Sequence, residues 1–229
     1  RMQQLPLALF GIALSGAILP PLTRAIKAGD VIKFKYFLNF ALSRSLALML
    51  PLTFALFILG TSSVTLLYGH GDFNLHSIQG TTSCLWGYGI GLIPMTLVIV
   101  LAPAFYAQND YRTPTRASIV AVGLNIVLNT LLIGGFGFGA ASVAFATSVS
   151  AWINAFQLAL AFKNKVGTLI DPSFWKNTLK VLIVSLLATL FTWSIRWLPF
   201  TMSSLLLFSL ETSVFFGATL VLSWVTGTV

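Results

Sequence analysis

The chain has 229 residues, of which 57% are hydrophobic and 8% are charged, and its mean hydropathy is +0.91. A soluble domain carries about 25% charged residues, so this composition excludes a water-facing surface and indicates a polytopic all-α membrane protein. The net charge of +8 does not indicate nucleic-acid binding, because the basic residues lie in short connections between apolar segments, where they face anionic membrane lipids.

Seven stretches are apolar over the roughly 20 residues that a membrane-spanning helix needs. In chain order they are Leu5–Ile26, Ala41–Gly60, Cys84–Tyr106, Ala117–Ile133, Ala140–Phe162, Trp175–Leu198 and Ser203–Val225. The chain begins at Arg1, without an initiator methionine and directly before an apolar run. We therefore expect a fragment whose first helix starts upstream.

The connection between the first two segments contains signals for a helix end and a helix start. Gly29 can end the first helix in a left-handed turn, and Asp30 can cap the next one. The residues that follow, Val31–Phe40, predict a short amphipathic helix that lies on the inner membrane surface and leads into the second segment.

Basic residues alternate between the connections. The first, third and fifth connections contain Arg24, Lys27, Lys33 and Lys35, then Arg112 and Arg116, then Lys163, Lys165, Lys176 and Lys180. The second and fourth connections carry no Lys or Arg, and the sixth has Arg196 at its edge. Because positive loops stay in the cytoplasm, the chain is predicted to start outside and end inside.

The corner between the third and fourth segments is short and charged. Thr113 is a favourable N-cap, and Pro114 a favourable first helical residue because it has no N–H to leave unpaired. Asp110 can accept hydrogen bonds from the backbone of the corner, and Arg112 and Arg116 can anchor it to anionic lipid. The sequence therefore predicts a structural hinge on the inner side.

No catalytic motif is present, so we expect no enzyme. The sequence lacks HExxH, GxSxG and a phosphate-binding loop. His70, Asp72 and His76 could hold zinc, but their spacing matches no strong motif, and an exposed polar loop is the alternative. Cys84 is the single cysteine of the sequence, which excludes a disulfide framework and a CxxC metal site.

Two ionisable residues fall at or near membrane depth, where such groups are expected to be functional. Arg1 directly precedes the first segment and either faces a polar cavity or flanks the membrane interface. Glu211 lies near the middle of the last segment and either hydrogen-bonds to a neighbouring helix or lines a groove.

Polar residues of the fourth and fifth segments form another candidate site. Asn125 and Asn129 are four residues apart and share one helix face, and Thr147 lies on the next segment. Amide and hydroxyl oxygens can bind a hard cation, but more often they join helices, by about 0.6–2 kcal/mol per pair. Alanines of the fifth segment favour close packing with its neighbours.

The stretch VLAPAFYAQNDYRTPTRASIV resembles the hallmark of the MurJ/MviN family of bacterial lipid II flippases. RMQQLPLALFGIALSGAILPPLTRA, LLYGHGDF and WGYGIGLIPMTLVIVLAPAFYA are similar to other motifs of that family, in the same order over roughly the first 140 residues. The resemblance implies the second half of a fourteen-helix transporter of the multidrug/oligosaccharidyl-lipid/polysaccharide exporter fold. Residues 1–162 would be five helices of the second lobe, and residues 163–229 a helix pair that forms a lipid-tail groove.

The resemblance also implies a function and its partners. The protein would move a polyprenyl-pyrophosphate-linked sugar-peptide lipid across the bacterial inner membrane, together with the amino-terminal half. Arg1 matches a cavity arginine of the family through its spacing to Pro6, and would bind the substrate. The alternatives are a polysaccharide-lipid flippase or a cation-coupled drug antiporter of the same superfamily, or a non-transporting scaffold.

Sodium coupling is a further question that the resemblance raises, because some members of the family bind sodium between these helices. Asn125 and Asn129, with Val143 and Thr147, align with that site. The family pattern can carry a carboxylate where this chain has Asn129, and a neutral amide attracts a bare cation less. We therefore expect weak or absent sodium binding and no other cofactor.

Overall fold

In the computed structural model, residue 4 and residues 7–135, 139–167, 172–195 and 204–226 are described. These ranges form seven α-helices and contain no strand, which confirms the all-α prediction. The helices are α1 (Ala13–Lys27), α2 (Val31–Tyr68), α3 (Leu75–Tyr106), α4 (Arg112–Asn129), α5 (Ala141–Val166), α6 (Pro172–Ile195) and α7 (Ser204–Thr226). Two π-helical segments, Leu7–Ile12 and Thr130–Gly135, precede α1 and extend α4.

Six helices in the described ranges are long and apolar enough to cross a membrane, judged by length and composition. They are α2 to α7, with α4 counted together with its π-helical extension. The first predicted segment was expected to be a seventh span. Its described residues, 7–26, are helical and change from π-helix to α-helix at Ala13. Its α-helical part has 15 residues and ends with Arg24 and Lys27 in its last turn.

The α1–α2 connection has the predicted signals. Gly29 adopts a left-handed conformation with φ 69°, and the Asp30 carboxylate accepts a hydrogen bond of 2.9 Å from the backbone N–H of Lys33. This bond to Lys33, followed by the Lys33 ammonium 3.1 Å away, lowers the pKa of Asp30 below its usual value. The cap fixes where α2 begins.

Helix α2 is longer than predicted and leaves no separate surface helix. Residues Val31–Phe40 form the first part of α2 and continue without interruption into the rest of it. The 38 residues of α2 span about 57 Å at ~1.5 Å per residue. Phe34 and Leu38 have no exposed surface, because their face of this stretch packs against other helices, whereas Val31, Ile32 and Tyr36 are exposed. The prediction of a separate short helix was therefore wrong, and its position at the inner membrane surface stays a prediction.

Helix ends also differ from prediction at the basic connections. Lys163 and Lys165, which follow the predicted fifth segment, lie in the last turn of α5, and Lys176 and Lys180 lie inside α6, as the bounds Trp175–Leu198 of the sixth segment imply. The Lys180 ammonium donates a hydrogen bond of 3.2 Å to the carbonyl of Thr226, the last residue of α7. A cation at this place also complements the negative end of the helix dipole.

The largest buried cluster lies at the end of the molecule where the basic connections are. It joins residues of α1, α2, α3 and α5 with single residues from α4 and α6. At its centre the ring of Phe162 stacks on Phe34 with centroids 6.0 Å apart, and meets Phe105 edge-on at 5.8 Å. Two smaller clusters lie elsewhere, one between α2, α6 and α7 and one between α2 and α3.

Helices α3 and α5 approach closely because small residues face each other along their contact. A Cβ placed on Gly87 would lie 2.8 Å from the Cβ of Ala144, and one on Gly91 would lie 2.6 Å from Oγ of Ser148. The Ser148 hydroxyl donates a hydrogen bond of 2.6 Å to the carbonyl of Gly87. Close packing of the alanine-rich fifth segment is therefore confirmed.

Replacement of Gly87 by alanine is expected to destabilise the protein. The added methyl would overlap Ala144, and overpacking of this kind costs about 1–3 kcal/mol. Gly123→Ala on α4 is the matched control, because nothing lies within 4 Å of its Cβ position. Thermal denaturation of the full-length protein should show a lower melting temperature for Gly87→Ala alone. Equal shifts in both variants would contradict the close contact.

Candidate functional site

The corner between α3 and α4 is built by a left-handed asparagine. Asn109 has φ 58°, and its N–H donates to the carbonyl of Tyr106 at 3.0 Å. The N–H of Asp110 donates to the carbonyl of Phe105, also at 3.0 Å. This pair of bonds is a Schellman motif, which satisfies carbonyls of the last turn and reverses the chain. Asparagine tolerates the left-handed region better than other residues with a Cβ.

The side chain of Asp110 bonds to the first turn of α4, whose N-cap residue is Tyr111. The carboxylate accepts hydrogen bonds from the backbone N–H of Thr113 at 3.0 Å and from its hydroxyl at 2.8 Å. This confirms the prediction that Asp110 bonds to the corner's backbone, but the predicted roles of its neighbours were wrong. Helix α4 begins at Arg112, so Thr113 is not the N-cap and Pro114 is the third helical residue. Proline fits there because N–H groups of a first turn have no helical partner.

The same carboxylate connects the corner to α5. Oδ2 of Asp110 lies 2.8 Å from Nζ of Lys165, in the last turn of that helix. The bond from Lys165 and the N–H of Thr113 lower the pKa of Asp110 from 3.8 to about 2. Because the folded-state pKa is depressed, the charged carboxylate stabilises the fold above about pH 4, and this contribution is lost as pH falls through about 2. Arg112 and Arg116 are exposed, and their contact with anionic lipid stays a prediction.

The cap at Asp110 is expected to matter more for stability than the ion pair. Loss of a capping side chain costs about 0.5–2 kcal/mol, whereas a partly exposed ion pair contributes about 0–1 kcal/mol. Asp110→Ala should therefore lower the melting temperature of the full-length protein more than Lys165→Met. Asp110→Asn, which retains a capping oxygen, should lie between wild type and Asp110→Ala and should lose stability less steeply below pH 4. If Lys165→Met equalled Asp110→Ala, the ion pair would be the larger contribution.

The four residues of the candidate cation site lie together. Nδ2 of Asn129 donates to Oδ1 of Asn125 at 3.0 Å, and Nδ2 of Asn125 donates to the hydroxyl of Thr147 at 3.3 Å. The Thr147 hydroxyl donates in turn to the carbonyl of Val143 at 2.8 Å. The chain of donors runs in one direction, from α4 to the backbone of α5.

This polar cluster combines helix joining with one unsatisfied acceptor. The bond between Asn125 and Thr147 links α4 to α5, as the helix-joining alternative requires. Oδ1 of Asn129 is buried and has no hydrogen-bond partner in the described part of the chain. The four residues carry no charge, so a cation bound here would meet dipoles alone. The π-helical segment begins at the next residue, Thr130.

Glu211 is buried between helices. Its side chain has no exposed surface, and its Oε2 accepts a hydrogen bond of 2.6 Å from the hydroxyl of Ser62. The bond joins α7 to α2, one of the two possibilities that the sequence left open for Glu211. The other, a position lining an open groove, does not match a carboxylate with no accessible surface.

The remaining candidates do not form a site within the described residues. Arg1 and Pro6 lie outside them, as does Arg196. His70, Asp72 and His76 are exposed. No group of three His, Cys, Asp or Glu residues is placed to hold a metal ion among the residues that could be searched.

Sequence reasoning missed three residues that hold these contacts: Asn109, Lys165 and Ser62. An asparagine directly after an apolar segment is a recognised signal for a left-handed helix end, and it could have identified Asn109. Lys165 was assigned to a loop, and no sequence pattern fixes the register between α5 and the corner. Ser62 lies in the run TSSVT, where the sequence does not distinguish one hydroxyl from another.

The described helices define a multi-pass α-helical membrane protein. A family model described as "Lipid II flippase MurJ" matches residues 1–211. The chain belongs to this family. The match covers the corner, the polar cluster and Glu211.

Curated relatives agree with the family model. The chain is 31% identical over 185 residues to a probable lipid II flippase MurJ of Rhizobium tropici, covering 81% of this chain and 34% of the relative. Identity to the Thermotoga maritima protein of the same description is 34% over 185 residues, covering 81% of this chain and 36% of that protein. Identity to the Chlamydia muridarum protein is 36% over 153 residues, covering 66% of this chain and 28% of that protein. The chain spans about a third of the length of these relatives.

Solved structures show the same fold. A lipid II flippase MurJ in an inward closed conformation superposes with a TM-score of 0.82 at 25% identity, covering 99% of this chain and 45% of that one. An inward-facing MATE-family multidrug resistance transporter of the MOP superfamily superposes with a TM-score of 0.61 at 20% identity, covering 95% and 51%. The second likeness concerns the fold alone.

Proposed function

We propose that this chain is the carboxy-terminal part of a flippase that moves lipid-linked peptidoglycan precursor outward across the bacterial inner membrane. The observation that carries the proposal is the family match over residues 1–211. The superposition on a MurJ structure over 99% of the chain supports it further. Because the chain spans about a third of its relatives, the activity is that of the whole protein.

The physical task is to carry a pyrophosphate and its sugar–peptide headgroup through a medium of low dielectric. A cationic cavity lowers the cost, while the polyprenyl tail stays in lipid. Arg1 is the residue of this chain proposed to contact the pyrophosphate. A guanidinium can make two parallel charge-assisted hydrogen bonds to phosphate oxygens, which the point charge of lysine cannot reproduce.

Arg1→Ala in the full-length protein is expected to abolish flipping while leaving membrane insertion intact, because the pyrophosphate would lose its cationic partner. Arg1→Lys should restore activity in part, since charge returns without the two-pronged geometry. Translocation of the lipid-linked precursor in vesicles measures the effect, and immunoblotting of membranes controls for insertion. Normal translocation by Arg1→Ala would overturn the assignment.

The orientation follows from the basic connections. We place the α1–α2, α3–α4 and α5–α6 connections on the cytoplasmic side, so that the chain starts outside and ends inside. The Lys and Arg residues at these connections would then face the anionic lipids of the inner leaflet. The large buried cluster would lie on the same side, where it joins helices on both sides of the basic corner.

The helix pair α6 and α7 is proposed to form the groove for the lipid tail. The two helices pack against each other and against α2. They expose large apolar side chains along much of their length, including Leu186, Phe191, Leu220 and Trp224. An apolar surface of this kind suits a polyprenyl chain, while Glu211 stays buried behind it, bonded to Ser62.

We propose that the cluster of Asn125, Asn129, Val143 and Thr147 binds sodium weakly or not at all and mainly joins α4 to α5. The hydrogen bonds from Asn129 to Asn125 and from Asn125 to Thr147 support this role. The cluster contains no carboxylate to offset the dehydration of a cation. The membrane potential, acting on the cationic cavity, is then the proposed energy source.

Replacement of sodium by potassium is expected to leave flipping by the full-length protein unchanged at constant membrane potential. A neutral amide cluster gives sodium no charge-based advantage, whereas collapse of the potential should slow transport. The measurement is precursor translocation in proteoliposomes with the ions exchanged under a clamped diffusion potential. Loss of transport on sodium removal alone would show that the cluster is a sodium site.

A further inference from the structure

Pro94 leaves one backbone carbonyl of α3 without its helical partner. In an α-helix the carbonyl of residue 90 accepts from the N–H of residue 94, and proline has no N–H. Pro94 lies in the middle third of α3, a helix of 32 residues that is long and apolar enough to span the membrane. The Ile90 carbonyl therefore lacks a bond in a region where water cannot supply one.

A tryptophan from the neighbouring helix supplies that bond. The indole N–H of Trp152, near the middle of α5, donates to the carbonyl of Ile90 at 3.2 Å. The carbonyls that Pro51 and Pro103 deprive of a partner, those of Ala47 and Ile99, receive no side-chain hydrogen bond from any described residue. Trp86 also donates across helices, to the carbonyl of Phe57 at 3.1 Å, where no proline follows four residues later. What distinguishes Trp152 is that its acceptor is the carbonyl that Pro94 deprives of its helical donor.

The contact satisfies two polar groups at once. An indole N–H in the middle of a spanning helix needs an acceptor as much as the Ile90 carbonyl needs a donor. Ser148, one turn before Trp152, donates to the carbonyl of Gly87 on the same side of α3. Both bonds end on the half of α3 that precedes Pro94, where the helix would otherwise be free to bend.

We propose that Trp152 is a positioning residue that replaces the missing N–H of Pro94. Its indole fixes the angle between the two halves of α3 and holds the preceding half against α5. The ring itself is 44% exposed, so loss of buried apolar contact is not its main contribution. The inference concerns backbone bonding and does not depend on the transported substrate.

A double-mutant cycle in the full-length protein tests the proposal. Trp152→Phe keeps an aromatic ring but removes the N–H, and it should lower the melting temperature by ~2–4 °C. Pro94→Ala restores the backbone donor for Ile90, so Trp152→Phe should cost less than half as much in that background. Phe156→Leu, an exposed change on the same helix, is the control and should show no coupling to Pro94→Ala. Equal effects of Trp152→Phe in both backgrounds would overturn the proposal.

Distances between spin labels give a second readout that a packing role would not change. With Cys84→Ser as background, one pair at Gly80 and Phe156 reports on the half of α3 before Pro94. A second pair at Tyr106 and Phe145 reports on the half after it. Trp152→Phe should broaden the first distance distribution alone, and Pro94→Ala should narrow it again. Broadening of both pairs, or of neither, would overturn the proposal.

Discussion

Hydrogen bonding inside a medium without water is the constraint on which this structure depends. Each backbone group within the hydrocarbon must find a partner in the protein, and polar side chains there are stabilised when they find one as well. Many hydroxyls bond within their own helix, as Thr53 does to the carbonyl of Met49 and Thr96 to that of Leu92. Such bonds satisfy the side chain but say nothing about which helices are neighbours.

The bonds between helices carry that information. Ser62 joins α2 to α7, Asn125 joins α4 to α5, and Ser148 and Trp152 join α5 to α3. Apolar surfaces alone cannot select neighbours strongly, because a lipid tail covers a helix about as well as another helix does. Close packing at small residues and a few directed hydrogen bonds therefore specify the arrangement, and α3 and α5 use both.

The sequence was sufficient for the features that depend on composition and local signals. Apolar length gave the helices, and Gly29 with Asp30 gave the start of α2, since these effects act within a few residues. Predictions failed where distant parts of the chain decide. The stretch Val31–Phe40 looks amphipathic by itself, but its face with Phe34 and Leu38 meets other helices in the folded protein. Likewise, the bond between Asp110 and the first turn of α4 depends on the turn at Asn109, which places the carboxylate over that turn.

The candidate site likewise has features that local spacing predicts and features that only packing between helices decides. Helical spacing was enough to put Asn125 and Asn129 on one face, but not to identify Lys165 or Ser62 as partners, because their registers are set by packing between helices. The carboxylates Asp30, Asp110 and Glu211 each have a hydrogen-bond donor. Asp110 and Asp30 lie beside lysines at the basic end, and Glu211 is buried with a hydroxyl donor.

These carboxylates are engaged in capping or helix joining, and the amide cluster between α4 and α5 is neutral. A membrane potential does work only on charge that moves through the field, at about 2.3 kcal/mol per elementary charge and 100 mV. A neutral cluster gives the potential nothing to act on, and charges held at the membrane surface move through little of the field. If the potential drives transport, the cationic cavity proposed for Arg1 is where we expect the field to act.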